Sequence, residues 1–425
     1  MDLKYGVDDR PGWAEILLLG LQWLAVTIPS ILIAGKVIAG FHFDDMNGQI
    51  IYLQKIFFIT GLLFIAQVMG GHRLPVITGP ATVLLIGILA SQGASLNTIY
   101  TSVFIGGLLL TMLSLSSLFN YLKLLFTPRV IVVVLILIAF TLTPTILNML
   151  IDGGGHVSPA ANLIFGLLVT LLMFIASKYL QGIFKSLIIV FAMLIGSLAY
   201  IFIFAVPLEP GMHELPKLAT FFSGFITTPS VDIGVLSAFL ICYLALAIND
   251  IASLQSVGEV LNLKDMPSRV KRGVAFTGLG NMLSGFFGII GPVNYSIGPG
   301  FIVSTGSASR FTLLPAGLGL FLLAFSPLVI GFFGSIPSVM VGSILIYLMS
   351  SQIGAGLMLA QQSNCLTSFE DALVLALPVL LGTIIAFLPA EVLAAIPPLL
   401  KPLLGNGFVV GLLAVLFMEH MVYTH

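Results

Sequence analysis

Asp250 is an acidic residue inside a stretch that is otherwise uncharged from Ile233 to Gly258. A carboxylate at such a depth in a membrane costs several kcal/mol unless it is paired, hydrated or protonated, so we expect a functional role. It could accept hydrogen bonds from the N–H groups of a ligand, or take up a proton, because desolvation favours the neutral carboxyl group. Ser253 shares its helical face and Asn249 lies on an adjacent one. Sodium coupling through oxygen atoms of these three residues is the alternative to proton coupling.

Two similar phrases rich in proline and glycine interrupt the apolar sequence. PVITGPATVLL runs from Pro75 to Leu85, and GPVNYSIGPGFIVSTG runs from Gly291 to Gly306. Irregular backbone is tolerated at membrane depth only where it is buried in protein or lines a wet cavity. A helix that restarts after a break begins with free N–H groups, which carry partial positive charge and bind ligand oxygens.

These breaks therefore predict the remaining residues of a binding site. We expect Gly79, Pro80, Pro299 and Gly300 to form the breaks themselves. The residues expected to line the site with Asp250 are Ala81, Thr82, Asn294, Tyr295, Ser296, Ile297 and Gly298.

Composition identifies lipid as the solvent of most of the chain. Of the 425 residues, 58% are hydrophobic and 8% are charged, whereas about a quarter are charged in soluble proteins. The net charge of −1 gives no sign of a nucleic-acid partner. The two cysteines have neither disulfide nor metal spacing, so no cofactor is expected. All six histidines occupy predicted loop, membrane-edge or terminal positions, which argues against a histidine proton relay.

Apolar stretches long enough to span a membrane occur in two sets of seven. The first set comprises Ile16–Gly35, Ile51–Gly71, two spans within Leu74–Leu122 that turn at SQGASLNT, Val130–Ile151, Ala160–Ser177 and Ser186–Leu208. The second comprises Ile233–Val257, two segments within Gly273–Ser309, two within Phe311–Phe369 that divide near Gly334–Ser338, Ala372–Ala390 and Pro402–Met418. The short stretch Val392–Leu400 is expected to be re-entrant or interfacial. Each Pro/Gly phrase falls in the third segment of its half.

Loop charge predicts the orientation of these segments. With the N-terminus inside, all of the 16 lysines and arginines except Lys36, Lys55, Lys217 and Lys401 fall on the cytoplasmic side. Both termini are therefore expected in the cytoplasm, with the protein in the cell membrane. An odd number of spans per half also inverts the second half relative to the first. Inverted repeats are common in secondary transporters, and they bring two broken helices together near the midplane.

Five stretches of the chain resemble the nucleobase–ascorbate transporter family, also called the nucleobase–cation symporter family, type two, which includes xanthine and uracil permeases. They are YGVDDRPGWAEILLLGLQW, RLPVITGPATVLL, INDIASLQSVGEVLNLKD, GNMLSGFFGIIGPVNYSIGPGFIVSTGSASR and IPSVMVGSILIYLMSSQIGAG. The resemblance implies an all-α membrane protein of fourteen segments in two inverted sevens, with half-helices and short extended stretches in segments 3 and 10. It implies a core domain from residues 12–125 and 231–333, and a gate domain from residues 126–230 and 334–425.

The same resemblance assigns roles to individual positions. Asp250 falls where the family usually has a substrate-binding glutamate, Ala81 and Thr82 fall where backbone amides meet the base, and Ser296 and Ile297 fall at the segment-ten contact. Four positions depart from the family pattern. Trp23 replaces a histidine, Leu254 stands where some members carry one, Ile297 replaces a polar side chain, and Asp250 is one methylene shorter than glutamate.

These features predict a secondary active transporter that moves a nucleobase-like ring together with protons, and the family resemblance implies elevator-type alternating access. The alternative is a transporter or channel of the same fold for a small inorganic or carboxylate anion, since two positive helix ends suit an anion. No HExxH motif, paired acids or Ser/His arrangement lies at depth, so an enzyme is not expected. Small residues in the gate segments allow a homodimer, which members of the family often form.

Overall fold

The computed structural model describes residues 3–116, 125, 127–152, 156–181, 184–185, 187–206, 215–295, 302, 305–397 and 400–423. Its first half contains α1 (Trp13–His42), α2 (Met46–Met69), β1 (Thr78–Pro80), α3 (Thr82–Ala90), α4 (Leu96–Leu115), α5 (Pro128–Thr141), α6 (Thr143–Ile151), α7 (Pro159–Tyr179), α8 (Ile188–Phe191) and α9 (Ser197–Phe204), with a π-helical turn at Ala192–Gly196. Its second half contains α10 (Ile233–Val260), α11 (Met266–Phe287), β2 (Pro292–Asn294), a 3-10 turn (Arg310–Thr312), α12 (Leu313–Leu323), α13 (Pro327–Gly334), α14 (Ser338–Gln362), α15 (Phe369–Ala386), α16 (Ala390–Ala395), α17 (Lys401–Leu404) and α18 (Gly407–Phe417), with a π-helical turn at Met418–Val422.

The helices confirm a polytopic membrane protein. Among the described residues, eight helices are long and apolar enough to cross a membrane, and a ninth span is possible as a bent pair. Shorter apolar helices occupy Ile188–Phe204 and Gly407–Val422. The number of fourteen segments stays a prediction.

One expected span is not straight. The stretch from Phe311 to Gly334 was expected to form a single crossing, but its two helices, α12 and α13, meet at 93°. Pro327 begins α13. Because proline lacks an N–H and clashes with the preceding turn, a continuous helix through this position is disfavoured. The chain therefore turns sharply between α12 and α13 instead of crossing as one straight helix.

Helix starts follow local sequence signals. The side chains of Ser95, Thr127, Ser158 and Asp232 each accept a hydrogen bond from a first-turn amide of the helix that follows. Proline occupies the first turn after two of these caps, where its missing N–H is not needed. The divisions expected at SQGASLNT and near Gly334–Ser338 are both confirmed, since α3 ends at Ala90 before α4, and α13 ends at Gly334 before α14.

The helices pack in two groups of neighbours. In one group, α4 packs on α11, α12 packs on α1 and α2, and α10 packs on α3 and α4. In the other, α14 packs on α5, α6 and α7, and α15 packs on α5 and α18. A Cβ added at Gly107 of α4 would lie 2.6 Å from the backbone nitrogen of Met282, so glycine is what permits the close approach of α4 and α11. The boundaries of the core and gate domains stay a prediction.

Lys55 was expected near one end of the second span, but it lies in the third turn of α2 and is 5% exposed. Its ammonium donates to the carbonyl oxygens of Gly224 at 3.1 Å and Phe287 at 3.0 Å. Phe287 is the last residue of α11, where the helix dipole favours a cation. Lys55 thus ties the connection between the two halves to the end of α11, a few residues before β2.

An ion-pair cluster joins three elements of the second packing group. Arg129, in the first turn of α5, lies 2.8 Å from a carboxylate oxygen of Asp371 and 3.4 Å from one of Glu419. All three side chains are largely buried. Asp371 also accepts from the backbone amides of Thr367 and Ser368, which completes a capping box at the start of α15. One guanidinium therefore neutralises two carboxylates at this end of α5, α15 and the turn after α18.

Candidate functional site

The two sequence breaks contact each other in the middle of the fold. β1 and β2 pair antiparallel, with Thr78 opposite Asn294, Gly79 opposite Val293, and Pro80 opposite Pro292. Flanking hydrogen bonds extend the ladder, from Tyr295 N to Ile77 O and from Ala81 N to Gly291 O, both at 2.9 Å. These bonds satisfy backbone groups that the broken helices leave open, as a low-dielectric environment requires.

Asp250 of α10 reaches this pair of strands. Its side chain is fully buried, and Oδ1 accepts the backbone N–H of Asn294 at 3.0 Å. The side chains of Thr277 and Asn294 flank the carboxyl group. Within the described part of the chain, Oδ2 has no hydrogen-bond partner. The carboxyl group therefore keeps one oxygen available for a proton or for an N–H donor.

Asn294 connects Asp250 to both halves of the fold. Its Oδ1 accepts from Thr78 Oγ1 at 2.8 Å, and its Nδ2 donates to Thr277 Oγ1 at 3.3 Å. Together with the backbone bond to Asp250, these contacts occupy the amide N–H and both ends of the side chain. The structure places Asn294 directly against the Asp250 carboxyl group, and its contact with a ligand stays a prediction.

The start of α3 supplies N–H groups next to the paired strands. Ala81 is the N-cap of α3 and makes no side-chain capping bond. Its own N–H is taken by Gly291 O, so among the described residues the N–H groups open to a ligand begin at Thr82 rather than at Ala81. The first-turn amides of a helix, here those of Thr82, Val83 and Leu84, have no acceptor within the helix itself. This end of α3 can therefore receive an oxygen atom of a ligand.

Tyr295 closes one side of β1. Its hydroxyl donates to Pro80 O at 2.7 Å, and its ring is half-buried. Gly79 makes room for the ring, because a Cβ at this position would lie 2.8 Å from the Tyr295 hydroxyl oxygen and 2.9 Å from two ring carbons. The predicted role of Gly79 as part of the break thus has a steric reason in the Tyr295 ring.

We expect Gly79→Ala to lower the free energy of unfolding by about 1–3 kcal/mol, since overpacking forces the Tyr295 ring or β1 to move. The measurement is thermal unfolding of the purified protein in detergent. Gly40→Ala is the matched control, because nothing lies within 4 Å of a Cβ at Gly40. Adding Tyr295→Ala to Gly79→Ala should recover stability, and failure of that double variant to recover would contradict the steric explanation.

The other predicted site residues have different outcomes. Ser253 is buried one turn after Asp250, and Asn249 is half-buried. Ser296, Ile297, Gly298, Pro299 and Gly300 lie outside the described residues.

Sequence analysis missed the polar side chains that surround Asn294 and Asp250. Gln67 Nε2 donates to Thr277 Oγ1 at 3.2 Å and to Gly273 O at 3.0 Å. His72 was assigned to a membrane edge, but it is fully buried beside this network. The missed signal was the presence of uncharged polar residues in apolar helices, since such residues usually face the interior of a membrane protein.

A cavity of about 910 Å³ lies between the two packing groups, at the end of α1 remote from the N-terminus. Its lining includes Lys36, Gln49, Ile86, Asn148 and Asn406. Ile86 is four residues beyond Thr82 on α3, about one helical turn from the free amides. Asp250, Asn294 and Tyr295 are not among the lining residues.

The family model Xan_ur_permease, described as Permease family, matches residues 14–391. The chain belongs to this permease family. The match covers both Pro/Gly phrases and Asp250, so the resemblance noted in the sequence is confirmed. As a permease it is an integral membrane transporter rather than an enzyme.

Relatives of this permease match over nearly its whole length. A Bacillus subtilis protein named xanthine permease is 24% identical over 95% of this chain and 92% of its own length. Nucleobase transporter PlUacP of Paenibacillus larvae is 24% identical over 96% of this chain and 94% of its own length. Among solved structures, the transmembrane domain of a cyanobacterium bicarbonate transporter, BicA, superposes with a TM-score of 0.60 at 17% identity, covering 90% of this chain and 98% of that one. The last likeness concerns the fold alone.

Proposed function

We propose that this permease is a proton-coupled symporter of a nucleobase of the uracil or xanthine class. The observation that carries the proposal is the buried carboxyl group of Asp250, held against two paired helix breaks. The names of the full-length relatives support the choice of substrate. The protein is proposed to lie in the cell membrane with both termini in the cytoplasm, as a homodimer through the gate domain.

The site offers what a nucleobase requires. The ring of a nucleobase carries N–H groups that need acceptors and carbonyl oxygens that need donors. Oδ2 of Asp250, which has no partner in the described part of the chain, is an acceptor, and the first-turn amides of α3 are donors. Each hydrogen bond contributes about 0.5–1.5 kcal/mol, so two or three of them favour a polar ring over an apolar one.

The burial of Asp250 supports proton coupling. A charged carboxylate without a cationic partner is costly in this environment, whereas the neutral acid is not. A proton that enters with the substrate removes that cost and accompanies the substrate across. Sodium bound by Asn249, Asp250 and Ser253 is the competing coupling ion, and it predicts a dependence on sodium rather than on pH.

Alternating access is proposed as an elevator movement of the core domain against the gate domain. The cavity beside α3 supports a route from the face opposite the N-terminus to within about one helical turn of the free amides. Movement of the core would carry the paired strands and Asp250 together, because β1, β2 and α10 are joined by hydrogen bonds.

Uptake into proteoliposomes tests this function. Purified protein is reconstituted with an inwardly directed pH gradient, and accumulation of radiolabelled uracil, xanthine and hypoxanthine is measured beside bicarbonate and sulfate. We expect concentrative uptake of at least one base that collapses with a protonophore and does not require sodium. Uptake of an anion without any base would overturn the proposal in favour of the anion transporter.

A further inference from the structure

The chain between α11 and β2 makes a tight turn that leads into the second helix break. Gly288 has a φ of 69°, in the left-handed region that favours glycine. Its N–H donates to Gly285 O at 3.1 Å, and the N–H of Ile289 donates to Ser284 O at 2.9 Å. The next amide, that of Ile290, is buried and donates to no backbone carbonyl in the described part of the chain. It needs another acceptor, because an unpaired N–H is costly in a low-dielectric interior.

Tyr52 of α2 supplies that acceptor. Its phenol oxygen accepts the N–H of Ile290 at 3.0 Å, from a residue 238 positions along the chain. The Tyr100 hydroxyl of α4 donates to the same oxygen at 2.9 Å. Both tyrosine side chains are buried. One phenol oxygen therefore joins α2, α4 and the turn before β2.

Lys55 holds the other end of the same turn. It follows Tyr52 by three residues, so both side chains leave one face of α2. Its ammonium donates to the carbonyl oxygen of Phe287, the last residue of α11, at 3.0 Å. The helix α2 thus binds the turn at its first residue through a cation and at its last residue through a phenol.

Hydrogen bonds connect Ile290 to both parts of the candidate site. The next residue is Gly291, whose carbonyl oxygen accepts the N–H of Ala81 at 2.9 Å, immediately before the first-turn amides of α3. The strand Pro292–Asn294 follows, and its last residue donates its N–H to Asp250 Oδ1 at 3.0 Å. A displacement at Ile290 would therefore change the distance between the donors at α3 and the acceptor on α10.

We propose that Tyr52 is a positioning residue for the substrate site. Its phenol oxygen fixes the N–H of Ile290, and this bond sets where the paired strands stand relative to α3 and to Asp250. In this role Tyr52 acts through the backbone of residues 290–294 rather than by contact with the substrate. Loss of its hydroxyl alone should loosen the turn and the strand pair while the helices stay packed.

Two phenylalanine substitutions separate the bond to Ile290 from the bond between the two tyrosines. Tyr52→Phe loses both bonds, whereas Tyr100→Phe loses the second and leaves the Tyr52 oxygen to accept the N–H of Ile290. Phenylalanine retains the ring, so the contact of this ring with His42 is kept. Tyr179→Phe is the control for loss of a hydroxyl group, because Tyr179 is exposed.

Hydrogen–deuterium exchange of the purified protein without substrate reads the turn directly. For Tyr52→Phe we expect about tenfold faster exchange over residues 288–291, because the acceptor of the Ile290 N–H is removed, and about threefold faster exchange over residues 78–81. Tyr100→Phe and Tyr179→Phe should stay within about twofold of the wild type in both peptides. Wild-type exchange of either peptide in Tyr52→Phe would overturn the proposal. Equal acceleration by Tyr100→Phe would overturn it as well, because the hydroxyl pair would then hold the turn.

Transport provides the second readout and rests on the proposed function. For Tyr52→Phe we expect KM for the transported base to rise about fivefold while the maximal rate stays within about twofold of the wild type, and for Tyr100→Phe we expect the wild-type KM. An unchanged KM in Tyr52→Phe contradicts the inference. Absence of uptake of any base by the wild type would instead refute the proposed function, and exchange over residues 78–81 would still decide whether Tyr52 positions the strand pair.

Discussion

Asp250→Asn is expected to abolish proton-driven uptake of a nucleobase while leaving the folded protein at least as stable as the wild type. Asparagine keeps an oxygen that can accept the N–H of Asn294, which is the bond the structure shows. It removes the group that takes up a proton, and it places an NH2 donor where Oδ2 is an acceptor. Loss of one hydrogen bond to the substrate corresponds to about 0.5–1.5 kcal/mol, or roughly 2- to 13-fold in affinity.

The stability half of this prediction distinguishes a transport defect from misfolding. A buried carboxyl group costs free energy to desolvate, so its neutral amide should raise or maintain the apparent Tm in detergent. Glu259→Gln is the matched control, because Glu259 lies on the same helix but is exposed. Proton-driven uptake by Asp250→Asn at the wild-type rate would show that this carboxyl group is not the coupling site.

Of the variants proposed for this protein, Arg129→Met is expected to lower the free energy of unfolding most. The guanidinium is the partner of both Asp371 and Glu419, whose side chains are 7% and 5% exposed. Removing one member of a buried ion pair leaves an uncompensated charge and costs about 3–5 kcal/mol. We therefore expect a strongly lowered apparent Tm and poor recovery from the membrane.

The surface pair of Lys4 and Glu15 provides the control for Arg129. Its side chains are 63% and 38% exposed, and exposed pairs contribute about 0–1 kcal/mol, so Lys4→Met should leave the apparent Tm nearly unchanged. Adding Asp371→Asn and Glu419→Gln to Arg129→Met should restore part of the stability, because the unpaired charges are then removed. A triple variant no more stable than Arg129→Met would mean that packing of the arginine stem, not charge, dominates.

Local features of the chain could be predicted from sequence because their physical causes are local. Length and apolarity mark the spans, and serine, threonine or aspartate before an apolar run marks a helix start, as at Ser95 and Asp232. The depth of Asp250 follows from the apolar residues on either side of it. The two breaks follow from proline and glycine, which cannot continue a helix without cost.

Long-range partners could not be predicted in this way. The register that places Thr78 opposite Asn294 joins residues from opposite halves, and no local signal specifies it. The same holds for the support of Asn294 by Thr277 and for the burial of His72, which looks like a loop residue in the sequence.

Sequence by itself thus determined that this protein is a membrane permease with two helix breaks and one acid at depth. Only the tertiary structure decided that the N–H of Ala81 bonds to Gly291, that the backbone N–H and both side-chain ends of Asn294 bond to the protein, and that one oxygen of Asp250 has no partner among the described residues. The reason is that hydrogen bonds in a low-dielectric interior are satisfied by whichever group the fold brings within reach, and that group is usually distant in the chain.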